Sequence, residues 1–302
     1  MADNTVQSAP TTPVITASAV VDRVPPHLLF MVSAVFHYLG PSFAVLLFQH
    51  VGVLGVAWLR IASAALVFAL WKRPWRVLAE GERRTRVLVV GLGVTLAVMN
   101  AYFYLAISRL PLATVATIEF VATIAVALAG VRTGRNLLAL AAAVGGVYLL
   151  IGPEWHSGGA DRLGLLFAVL NAAFFALYIV LGHAISRAPG AASGVDRLGA
   201  AMLVALVFAM PIGVAEAAPA LTSPTLLLAG IGVGLSSSVI PYVCDQLAMA
   251  RLPRATFALL LALLPATAAL VGALVLRQVP TLVDLLGIAL VGIGVGLHRP
   301  PE

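Results

Sequence analysis

Residues 106–114 read A-I-S-R-L-P-L-A-T and residues 248–256 read A-M-A-R-L-P-R-A-T, a shift of 142 positions, each copy lying between two apolar runs. The chain is therefore an internal duplication. At the same shift, without a gap, Gly40 falls on Gly182, Gly52 on Gly194, Gly130 on Gly272, Gly145 on Gly287 and Gly152 on Gly294. Glycine matches come cheaply in a chain with 27 glycines, so the argument rests on the shared R-L-P-x-A-T. Each copy holds about five membrane-length segments, and an odd number turns the second copy upside down relative to the first. Inverted repeats of this kind build alternating-access transporters, with a site near the membrane midplane where the halves meet.

Reading the apolar runs as membrane segments depends on composition. With 61% hydrophobic and 10% charged residues, the chain has too little polar surface to cover a water-soluble globule. Windows of about 20 apolar residues fall near 27–48, 51–71, 87–108, 112–131, 136–151, 163–185, 198–215, 225–249, 255–276 and 281–298. The expected fold is an all-α polytopic membrane protein of ten transmembrane helices, built as two inverted five-helix repeats over 27–151 and 163–298. Residues 1–26 are polar, contain Pro, Thr and Ser, and lack the basic and apolar regions of a signal peptide, so they are read as a disordered cytoplasmic tail.

Orientation follows from the basic residues in alternate loops. One side carries 14 of the 18: Arg23, then Lys72, Arg73, Arg76, Arg83, Arg84 and Arg86, then Arg132, Arg135, Arg187, Arg197, Arg251, Arg254 and Arg299. The other side has Arg109, Arg162 and Arg277, and Arg60 lies inside a helix. Both termini are thereby expected in the cytoplasm of a cell with an inner or plasma membrane. The first R-L-P turn falls outside and the second inside, as inversion requires. Cations strung along short loops orient helices and make a poor phosphate-tracking surface, which argues against nucleic acid as a partner of this basic chain.

The constellations of enzymes are missing from the sequence. His27, His37, His50, His156, His183 and His298 form no H-x-x-x-H or H-E-x-x-H pair, and there is no G-x-S-x-G elbow, no phosphate loop and no G-x-G-x-x-G after a strand. Cys244 stands alone in an apolar run, excluding a disulfide framework or a cysteine metal site. Neither an enzyme, a metal nor a cofactor is expected. The run G-I-G-V-G-L at 230–235 and 292–297 reads as close helix packing.

Polar groups at hydrocarbon depth are costly, and they face a cavity or one another. Arg60 lies eight residues past Gly52 and Glu119 eight past Pro111. At about 1.5 Å per residue both lie roughly 12 Å below the outer boundary, so they are expected either to neutralise each other as an ion pair or to hold a substrate between them. Ser238, Pro241, Tyr242 and Asp245 share one helix face, where Pro241 removes a backbone hydrogen bond and can free a carbonyl. Asp245 is also close enough to the cytoplasmic end of its helix to snorkel to water. Asn100 and Tyr104 share another face, with Tyr102 elsewhere, and His37 precedes Gly40-Pro41 in the first helix.

These residues sit in recognisable stretches. They are G-V-A-W-L-R (55–60), K-R-P-W-R (72–76), M-N-A-Y-F-Y-L (99–105), R-L-P-L-A-T-V-A-T-I-E-F (109–120), D-R-L-G (161–164), A-L-Y (176–178), Pro241-Tyr242 with Asp245, and R-L-P-R-A-T-F (251–257). On them the chain resembles the drug/metabolite transporter superfamily, in its EamA branch, over nearly all of residues 33–297. The resemblance implies proton-driven export of small hydrophilic amino acids of the threonine and homoserine kind. The cavity it implies is lined mainly by helices one to four and six to nine, with helices five and ten peripheral and placed for a homodimer contact. It puts Arg60, Asn100, Tyr104, Glu119, Tyr242 and Asp245 at family polar positions. The chain departs from the family pattern at Leu264-Pro265, where Glu-Pro is usual, at Ala122-Thr123, where Gly-Pro is usual, and at Arg277-Gln278, where Gly-Glu is common.

A zwitterion needs a cation for its carboxylate and an acceptor for its ammonium, and Arg60 and Glu119 supply both in the bilayer. Two other readings stay open: efflux of another small metabolite or drug, and a non-transporting scaffold packed through its glycines. The topology is directly testable. A reporter fused after Arg86 or at the C-terminus is expected to report cytoplasm, and one at Ser157 the outside. A cytoplasmic signal at Ser157 together with an external C-terminus contradicts the ten-helix reading.

Overall fold

Capping residues and prolines decide where the helices begin and end. Pro26 opens the first helix, where a missing N–H costs nothing. Asp161 accepts from the Gly164 N–H at 2.8 Å, Thr133 caps the Asn136 N–H at 3.2 Å, and Ser193 with Asp196 closes a reciprocal capping box. Thr281 and Asp284 make a similar reciprocal pair. At the other ends, Arg73 and Arg277 stop their helices in the left-handed region, at φ 48° and 57°.

The computed structural model describes residues 24–130, 133–157, 161–186, 188, 192–249, 251, 252, 260 and 263–297. These residues are helical, with no strand among them. In chain order the main helices are α1 (Pro26–Leu47), α2 (Val53–Lys72), α3 (Arg83–Ile107), α4 (Leu112–Gly130), α5 (Gly134–Ser157), α6 (Arg162–Ser186), α7 (Gly194–Gly213), α8, α9 (Leu264–Leu276) and α10 (Leu282–Leu297). The eighth changes pitch along its length: Pro224–Gly234 is α-helical, Leu235–Val239 π-helical and Ile240–Met249 α-helical again. Short helices Trp75–Glu80 and Ala218–Thr222 lie in the connections. Residues 1–23 of the expected tail, most of the second R-L-P motif and the start of the ninth expected span lie outside the described residues.

Among the described residues seven helices are long and apolar enough to cross a bilayer: α1, α2, α3, α5, α6, α7 and α8. The remaining apolar stretches, in α4, α9 and α10, are shorter. The fold is that of an all-helical polytopic membrane protein. Its polarity is arranged accordingly, with Leu70, Val207 and Leu274 among the most exposed side chains and Arg60, Asn100, Glu119 and Asn171 buried. Three boundaries differ from the sequence expectation. α3 starts at Arg83 and α7 at Gly194, each four residues early, and α5 continues past 151 to Ser157. The Ser193–Asp196 box explains α7, because it draws charged residues into the first turn. Arg197, expected in a loop, is consequently buried there, and donates from Nη1 to the Ile185 carbonyl at 2.6 Å.

Apolar burial contributes little to holding helices together in lipid, so close packing and hydrogen bonds must do so. α1 packs on α8 and α9, α3 on α6 and α7, α4 on α6 and α9, α2 on α7 and α8, and α5 on α10. Replacing each helix by the one five places along the series returns the same set of pairs. The α5–α10 crossing is backbone against backbone: a Cβ at Gly287 would lie 2.7 Å from the Gly146 carbonyl oxygen, and one at Gly146 would lie 2.5 Å from that of Gly287. Gly287→Leu is therefore expected to cost roughly 1–3 kcal/mol through overpacking. Gly296→Leu, where a Cβ meets nothing within 4 Å, is the neutral control on the same helix. Thermal unfolding in detergent separates them, and equal melting temperatures contradict the packing assignment.

Candidate functional site

Pro241 lacks an N–H, so the carbonyl four residues earlier, that of Ser237, has no α-helical donor. The π-helical turn carrying Ser236, Ser237 and Ser238 lies just before it. That freed carbonyl accepts from Arg60 Nη2 at 3.0 Å, and Ser238 Oγ accepts from Arg60 Nε at 2.9 Å. Arg60, on α2, is thus fixed on α8. The Tyr104 ring lies behind it, 5.7 Å from the guanidinium carbon to the ring centroid. α1 comes close enough to complete this wall because residue 40 is glycine: a Cβ there would lie 2.5 Å from that of Ser237. Ser33 Oγ also donates to the Pro241 carbonyl at 3.2 Å.

Glu119, on α4, accepts from Asn171 Nδ2 of α6 at 2.8 Å. Asn171 is fully buried, and its Oδ1 has no hydrogen-bond partner among the described residues. Arg60 and Glu119 do not form the direct ion pair weighed from their matching depth. Among the described residues the ion pair is Arg109–Asp161, at 3.1 Å on the surface. The reason is local: α8 offers Arg60 a carbonyl and a hydroxyl, and α6 offers Glu119 an amide, so the two charges are held apart, each on its own partner.

Between them lies a cavity of about 480 Å³. Arg60, Asn100, Glu119, Tyr242 and Asp245 line it, as do Ser33, His37, Tyr38 and Asn171. The structure thus brings five of the six sequence candidates to one space and sets Tyr104 behind the Arg60 wall. Asn100 is also tied to its own helix, Nδ2 donating to the Leu96 carbonyl at 2.7 Å. Asp245 faces the cavity and is half-buried. The lining comes from α1 to α4 and α6 to α9, with nothing from α5 or α10. It continues along Gly182, Ile185, Gly194 and Leu198, toward the α6–α7 turn. Sequence reasoning passed over Asn171; the signal available was a lone amide in the apolar run of α6.

At the far end of the helices, polar contacts tie the connections to helix N-termini and to one another. Glu216 caps the Leu54 N–H of α2 at 3.0 Å, Gln278 caps the Leu112 N–H of α4 at 3.1 Å, and Arg109 holds Asp161. The Gly164 backbone N–H, and after it the Arg109 guanidinium, hold the Asp161 carboxyl below the usual carboxylate range. A separate groove of about 700 Å³ between α4, α5 and α6 is lined by apolar side chains such as Ile118, Val147 and Val169. It opens on the flank of the molecule beside exposed Val144 and Tyr148. No group of three or more metal-ligating side chains occurs among the described residues.

Residues 162–298 match the EamA-like transporter family. The chain is 32% identical over 268 residues to the threonine/homoserine exporter RhtA of Salmonella typhimurium strain SL1344, covering 87% of this chain and 89% of that protein. Against RhtA of Escherichia coli strain K12 it is 33% identical over 249 residues, 82% of each chain. A solved crystal structure with 17% identity superposes at a TM-score of 0.57, over 90% of this chain and 96% of its own, and so supports the fold alone.

Proposed function

The chain belongs to the EamA-like transporter family, and on that premise we propose that it exports small zwitterionic amino acids of the threonine and homoserine kind by proton antiport. Family membership makes it a multi-pass membrane transporter of small molecules. The finer reading is supported above all by the separated charges of the cavity, with Arg60 on one wall and Glu119 with Asn171 on another. A guanidinium has five donors and its two bonds on α8 use two of them. The remaining donors suit a carboxylate, and the acceptors on Glu119 and Asn171 suit an ammonium. In a water-poor cavity each of these contacts is stronger than in solution.

The ten spans form two inverted repeats, over 27–151 and 163–298, with both termini in the cytoplasm. The 142-residue shift and the packing pairs preserved on a five-helix step support this arrangement. Under it the cavity opens to the cytoplasm, past Ile185 and Leu198, and the caps from Glu216 and Gln278 close the outer side. The lipid-facing flanks of α5 and α10 are placed for a homodimer contact. Substrate enters from inside and bridges Arg60 and Glu119. In the outward state a proton on Glu119 removes the partner of the ammonium and releases the amino acid. A flank groove without charge has no group for either end of a zwitterion, so the polar cavity and not that groove carries this reading.

Inside-out vesicles provide the test. Labelled threonine or homoserine is expected to accumulate when the lumen is acidic and to leave when the gradient is collapsed. Glu119→Gln is expected to insert normally, to lose gradient-driven uptake and to retain exchange of one amino acid for another, since exchange needs no proton step. Wild-type uptake indifferent to the gradient, across all amino acids, moves the protein to another metabolite or drug. Absence of counterflow for every solute moves it to a scaffold.

A further inference from the structure

Asn171 is a residue for which neither the repeat nor the family motifs gave a role. It lies at 0% exposure on α6 and gives one N–H to Glu119. A residue needed only to hold that carboxylate would require a donor and nothing else. The amide also brings a carbonyl, and this one is buried at the cavity without a partner among the described residues. Leaving such an acceptor unpaired is costly, and a ligand donor would recover that cost.

We propose that Asn171 Oδ1 and the Glu119 carboxylate together form the acceptor half of the substrate site, and that Asn171 makes the site selective for a primary ammonium. The inference rests on the transport reading above. An ammonium carries three N–H donors in a tetrahedral fork and satisfies both acceptors at once. A hydroxyl in its place has a single donor and cannot reach Asn171 Oδ1 and the Glu119 carboxylate together. Sites built to receive a donor reject analogues lacking it far more sharply than apolar pockets reject a missing methylene. The pair therefore distinguishes an α-amino acid from the α-hydroxy acid of the same side chain. Asn171 is a specificity residue in this scheme, while Glu119 is the group that exchanges the proton.

The test is counterflow in proteoliposomes, with KM measured for threonine and for its α-hydroxy analogue. Asn171→Leu keeps roughly the volume and removes both polar atoms, and Asn171→Asp keeps the acceptor oxygen. Asn171→Leu is expected to raise the threonine KM on the order of tenfold or more, leave that of the hydroxy analogue unchanged and flatten the preference between them. Asn171→Asp is expected to keep the preference. Equal losses for both substrates in Asn171→Leu overturn the proposal, since they mark a residue that only positions Glu119. If Asn171→Leu fails to insert, Asn171→Asp decides alone: a retained preference supports the assignment and a lost one overturns it. A wild-type protein that exchanges no amino acid removes the transport reading and this proposal with it, whereas wild-type exchange with an unaltered Asn171→Leu removes this proposal only.

Discussion

A permanent cation inside a bilayer must be given partners, and in this protein the partner comes from a broken backbone ladder. Placing Arg at the centre of a membrane helix costs on the order of 3 kcal/mol even by insertion scales. Pro241 withdraws one N–H from α8, the Ser237 carbonyl loses its helical donor, and Arg60 takes it, with Ser238 adding a second acceptor. Neutral groups thus hold the charge in place without cancelling it. Had a carboxylate done this work, the site would hold a finished ion pair with little left for a ligand; carbonyl and hydroxyl leave the positive charge in force.

The same bonds tie α2 to α8. Arg60 of α2 meets Ser237 and Ser238 of α8, while Glu119 of α4 meets Asn171 of α6. Both charged groups are therefore positioned by helices distant in the chain. Displacing α8 from α2, or α6 from α4, would break the neutral bonds that hold the cation and the acid. Glu216 and Gln278 make analogous long-range caps at the N-termini of α2 and α4, where a carboxylate or amide oxygen meets otherwise orphaned N–H groups.

Much of this was legible in the chain because membrane solvation writes itself into sequence. The apolar windows located the helices, and depth counting set Arg60 and Glu119 at one level. Pro241 marked where a carbonyl would be freed, and that is where Arg60 binds. Depth does not give azimuth, however. Two residues at one level face each other only if their helices are adjacent and turned that way, and here Arg60 turns to α8 and Glu119 to α6. The start of α7 was misjudged because the Ser193–Asp196 cap draws Arg197 into the helix. At Arg277 the chain keeps a left-handed C-cap without the glycine common in the family pattern, a conformation that costs a non-glycine residue on the order of 1 kcal/mol. Asn171 escaped notice because its importance lies in which atom is left unpaired, and that is a property of geometry alone.

Export of a zwitterion through this cavity requires that Arg60 read a carboxylate. The most direct measurement is competition in inside-out vesicles carrying the wild-type protein, with labelled threonine challenged by threonine amide, which keeps the side chain and the amino group and replaces the carboxylate by a neutral amide. The free acid is expected to compete fully and the amide to leave uptake untouched. Equal competition by the two would show that Arg60 serves the packing of α2 against α8 and has no part in recognising substrate.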